Sequence, residues 1–100
     1  MKRKLLAVMP VSTNYLPVYD VEIAHSFEEA REMIQEAELG GVPYADLDLP
    51  VSDEARFWEF VEWMKETNRR YGFSIFGAKN DEHFWAIAEK VREKGFHFNS

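Results

Sequence analysis

Cysteine is absent from the 100 residues. That excludes a disulfide framework and any thiolate metal site, and it fits a cytoplasmic protein. Basic residues are outnumbered: twelve Lys and Arg face eighteen Asp and Glu, for a net charge of −6. Lys2, Arg3 and Lys4 gather three of the positives at one end, so the rest is more acidic still. Such a surface repels phosphate backbones, and general nucleic-acid binding is not expected. No long hydrophobic run exists. The longest uncharged stretch, Leu5 to Tyr19, contains Pro10, Ser12, Thr13, Asn14 and Pro17, and reads neither as a membrane span nor as a signal peptide. A glycine-rich phosphate loop, a Ser-His-Asp signature, zinc-ligand spacing and an aromatic RNA-binding motif are all missing. What is present is ordinary for a globular chain, with 46% hydrophobic and 30% charged residues. One core fits this length, so residues 1–100 read as a single domain.

Short apolar runs alternate with amphipathic ones. Lys4 to Met9 reads as a buried strand ended by Pro10, and Val11 to Pro17 as loop. Val18 to Ala24 alternates apolar and acidic residues, the period of a strand. Ser26 and Glu29 form a capping box at the head of a helix whose stripe is Phe27, Ala30, Ile34 and Ala37, and Gly40-Gly41 stops it. Val42 to Leu49 is a third strand candidate, ended by Pro50. Ser52 or Asp53 caps the longest helix, predicted to reach about Arg70, with Phe57, Phe60, Val61 and Met64 inward. Phe73 to Phe76 is a fourth strand. Asn80 caps a last helix with Phe84, Ile87, Ala88 and Val91 inward, and Phe96 to Phe98 is a final strand. The alternation predicts an α/β fold with a mostly parallel sheet flanked by helices. The first connection is shorter than the dozen residues a parallel crossover needs. It leaves three options open: an antiparallel hairpin, two separated strands, or a first strand paired with another subunit.

Three groups of side chains are candidates for chemistry. Asp46 and Asp48 stand two apart on a strand and share a face, so both can serve one hard cation such as magnesium, or one can attack phosphorus. The competing reading has them cap the next helix or line a strand edge. Lys79, Asn80 and His83 lie where a strand meets a helix N-terminus, a place suited to a phosphate; the plainer reading is a capping Asn80 with solvated neighbours. Trp58, Trp63 and Trp85 flank the core stripes, where they pack under loops or mark an interface with a protein partner or a second copy.

Tyr19 to Ala24 with Phe27 to Ala30, and Asp46-Leu47-Asp48-Leu49-Pro50, resemble the second strand, second helix and third strand of response-regulator receiver domains. The D-x-D-L run and short first connection look closest to the cyclic-phosphate-processing branch, of whose fourth-strand motif only Asn80 matches. The resemblance implies a three-layer, five-stranded fold lacking the first receiver helix, with Asp46 at the phospho-acceptor position. The family's acidic pair is replaced by Ala7-Val8-Met9-Pro10, its hydroxyl by Gly77, and its lysine is absent. A receiver-like regulatory or interaction domain without the phosphorylation apparatus is therefore the leading expectation. A small enzyme acting on cyclic phosphate ends through Asp46 and Asp48 is the alternative, and an inhibitor-type binding protein is the third reading. No cofactor is certain, magnesium being the one candidate.

Overall fold

The computed structural model describes residues 3–9 and 19–98. Its elements run β1 (Arg3–Val8), β2 (Tyr19–Ala24), α1 (Phe27–Gly40), β3 (Asp46–Pro50), α2 (Glu54–Glu66), β4 (Gly72–Phe76) and α3 (Asp81–Glu93). The four strands form one sheet in the order β2-β1-β3-β4, every pair parallel. The fold is α/β, but the sheet has four strands rather than the expected five. Of the last predicted strand only one rung exists, a parallel bridge between Phe73 and Phe98. The Phe73 amide donates to the His97 carbonyl at 3.0 Å.

β1 lies in the interior of the sheet, between β2 and β3. Lys4 faces Asp20 and Val8 faces Ala24 in the β1–β2 ladder. The hairpin and the separated strands are therefore excluded, and β1 finds both its neighbours within the chain, which leaves a dimer built on a displaced β1 without support. The predicted loop at Val11 to Pro17 lies outside the described residues.

Register fixes which side chains share a face. Leu6 stands beside Leu47 and Leu47 beside Phe73. With the alternation of strand side chains, Leu6, Val8, Leu47, Leu49, Phe73 and Ile75 point one way. These residues join Phe27, Ala30 and Ile34 of α1, Phe57, Phe60, Val61 and Met64 of α2, and Ile87, Ala88 and Val91 of α3 in one core. All three helices thus pack on the same sheet face. Phe27 and Phe60 carry α1 onto α2 with ring centroids 5.2 Å apart, and Phe57 meets Phe73 edge-on at 6.4 Å. Each such buried side chain contributes about 1.5–3 kcal/mol of transfer free energy.

The helix ends follow local chemistry. The Ser26 hydroxyl accepts the Glu29 amide at 3.0 Å. The Glu29 carboxylate reaches back to the His25 amide at 3.2 Å, one residue earlier than the capping box predicts. Gly41, at φ +100°, closes α1 in the left-handed conformation. α2 ends four residues before the expected Arg70. Thr67 donates its hydroxyl to the Trp63 carbonyl at 2.7 Å, and Asn68 turns left-handed at φ +57°. β3 begins at Asp46 rather than Val42, because Val42 and Pro43 are exposed and pair with no strand. Among the described residues no helix is long and apolar enough to cross a membrane.

Candidate functional site

In an open parallel sheet, ligands bind beyond the carboxyl ends of the strands, where neighbouring connections diverge. Here that point lies between β1 and β3, whose last residues are Val8 and Pro50. A crevice of about 630 Å³ occupies it, lined by Met9, Phe27, Pro50, Arg56, Phe76 and Gly77 among others. Met9 sits at φ +47°, an uncommon conformation for a side chain of its size. Its amide donates to the Ala24 carbonyl at 2.7 Å, which holds the turn against β2. Gly77, at φ +81°, brings the β4–α3 turn beside the Ser52 backbone.

A second cavity of about 300 Å³ adjoins it, lined by Val51, Ser52, Glu54, Gly77, Lys79 and His83. The His83 Nδ1 accepts the Lys79 backbone amide at 3.0 Å, and Nε2 faces the Glu54 carboxylate. That network places the ring proton on Nε2, donated to Glu54. The bond from His83, with a weaker one from the Trp58 indole, holds the Glu54 carboxyl below the usual carboxylate range. The Asn80 side chain accepts the His83 amide at 2.8 Å and caps α3. Of the expected phosphate-binding trio, Asn80 and His83 are therefore bound into a local staple. Lys79 is exposed at the cavity wall.

The aspartates lie elsewhere. Asp46 opens β3 beside Leu5 and Gly72, at the amino end of the sheet. The strand continues through Pro50, so Asp46 begins the strand that the resemblance would have it end. From Gly72 to Phe76 alone is four strand steps, about 13 Å, before the turn to Asn80 starts. One pocket cannot hold Asp46 and Asn80 together. Asp46 is 4% exposed, and its Oδ2 lies 3.0 Å from the Arg3 guanidinium. Asp48 stands beside Ala7 and Ser74, and accepts the Ser74 hydroxyl at 3.3 Å. The two acids do share a face, as their spacing requires. Among the described residues no three His, Cys, Asp or Glu side chains converge, and Asp46 and Asp48 are each already engaged, by Arg3 and Ser74.

A polar cluster lies at the same amino end, on the helix-covered face. Lys4 pairs with Glu22 at 3.0 Å, and the Tyr44 hydroxyl donates to Glu22 at 2.9 Å. The Lys4 bond keeps Glu22 below the usual range. Burial, then the Glu22 bond, pushes the Tyr44 phenol well up. Nothing in the local spacing of these three residues foretells the cluster.

The tryptophans divide. Trp58 and Trp63 are half-buried along α2, and the Arg31 and Arg69 guanidinium groups lie over the Trp63 ring at 5.3 and 4.9 Å from its centroid. Trp85 is 52% exposed on α3, edge-on to Phe84. The crevice residues Met9, Arg56, Phe76 and Gly77 come from three stretches far apart in sequence, and no local spacing marks them as one site. No protein-family model, curated protein or solved structure matches this chain.

Proposed function

We propose that this chain is a receiver-like regulatory and protein-interaction domain that works without a phosphorylated aspartate. The observation that carries the reading is the sheet order β2-β1-β3-β4, all parallel, with Phe98 adding a rung beside β4. That is the sequence of strands in the flavodoxin-like doubly wound arrangement. The described helices cover one face of this sheet, and the five-stranded, three-layer receiver would add a second helical layer and a full fifth strand. The carboxyl ends of β1 and β3 carry Val8 and Pro50 rather than acids. The acids nearest the crevice already have work: Asp53 caps α2 and lies 3.4 Å from Arg56, and Glu54 holds His83.

Hydrolysis of cyclic phosphate ends through Asp46 and Asp48 finds less support. Those carboxylates are engaged by Arg3 and Ser74, and Asp46 stands at the far end of the sheet from Asn80. The test is intact-mass analysis after incubation with acetyl phosphate and magnesium. The expected result is an unchanged mass. A phosphoryl adduct that maps to Asp46 or Asp48 contradicts the proposal.

A further inference from the structure

We infer that the solvent face of α2 is a docking trough for a basic, lysine- and arginine-bearing helical segment of a partner protein. The inference rests on the interaction-domain reading and names its partner chemistry. Helical geometry lays out the trough. At 100° per residue, Ala55, Glu59, Glu62 and Glu66 form one strip along α2, and Trp58 and Trp63 stand about 70° to either side of it. The resulting groove has a volume of about 520 Å³ and is lined by these residues with Arg31.

Its charge is acidic on balance: Glu59, Glu62 and Glu66 line it against Arg31, whose guanidinium stays on the Trp63 ring. Glu62 is paired with Lys94 of α3. Glu59 and Glu66 are exposed and make no ion pair among the described residues. Glu59 and Glu66 are seven residues apart, about 10 Å along the helix, which matches basic residues two turns apart on a second helix. The indoles already receive cations from within the chain. The Lys94 ammonium lies 5.8 Å from the Trp58 ring while it pairs with Glu62. An ammonium between an indole and a carboxylate, with its aliphatic stem along the ring, is the contact an incoming lysine repeats beside Glu59 and Glu66. A second copy of the chain brings a net charge of −6 and the same acidic strip to this face. A nucleic acid brings phosphates. Both are repelled.

The experiment uses the full chain and a synthetic amphipathic helical peptide with lysine and arginine at i, i+4 and i+7, against a glutamate-bearing control of the same pattern. NMR follows the three indole N–H signals, with Trp85 as the internal reference. The expected result is movement of the Trp58 and Trp63 signals with the basic peptide alone, reduced by added salt. The Glu59→Gln, Glu66→Gln double variant, altered only at exposed positions, weakens binding roughly fivefold to tenfold. Three outcomes overturn the trough: silent Trp58 and Trp63 signals, equal binding of the acidic peptide, or undiminished affinity in the double variant. An aspartyl phosphate would defeat the proposed function yet leave peptide binding standing. Loss of peptide binding alone defeats only the trough.

Discussion

The imidazole of His83, in the first turn of α3, donates to the carboxylate of Glu54, the first residue of α2. The bond ties two helix N-termini together across the rim of the sheet, over a sequence separation of 29. It turns a histidine that could have moved protons into a strut between helices.

This strut makes stability depend on pH. The folded Glu54 carboxyl titrates below its unfolded value, as does Glu22 beside Lys4. As pH falls, the unfolded chain takes up protons first. The stabilisation is complete above the unfolded carboxylate range and is lost as pH falls through the folded values. Glu54→Gln is expected to flatten its share of that loss in urea titrations taken at a series of acidic pH values. Because Glu54 is exposed, the share is small, below about 1 kcal/mol. A variant with the parent's full acid sensitivity contradicts the assignment.

Phe60 is fully buried, with its ring 5.2 Å from Phe27 and 5.5 Å from Trp63. Phe60→Ala leaves a cavity where α1 meets α2 and is expected to cost about 3–5 kcal/mol, read from the urea midpoint. A loss under 1 kcal/mol, on the same scale, means α1 does not seat there.

Gly77 sits at φ +81°, and a Cβ there meets the Ser52 amide nitrogen at an ordinary 3.6 Å. The expected penalty of Gly77→Ala is therefore torsional, roughly 1–2 kcal/mol. Asparagine, which tolerates the left-handed region better, should lose less in the same thermal melts. Equal losses for both substitutions argue against a left-handed Gly77.

The helices were legible in the sequence because their signals are local. Ser26 and Glu29 marked the start of α1, Asn80 marked α3, and Phe57, Phe60, Val61 and Met64 were recognisable as the buried stripe of α2 from their spacing alone. The place of Asp46 was not legible. Period-two alternation says that Asp46 and Asp48 share a face, but not whether they begin or end a strand. That depends on which neighbours β3 pairs with, and Gly72 is 26 residues away from Asp46. The same holds for Glu54 with His83, and for a crevice assembled from four connections. The end of α2 differs for another reason: Thr67 and Asn68 stop the helix short of the predicted Arg70, although neither residue is a strong breaker.

Asp46 and Asp48 lie apart from Lys79 and Asn80 and do not form one phosphoryl site with them. The most direct measurement is the set of backbone amide shifts of these four residues as magnesium and acetyl phosphate are added to the intact chain. The Asp46 and Asp48 signals are expected to stay where they are. Joint movement of all four signals, lost in Asp46→Asn, would contradict that separation.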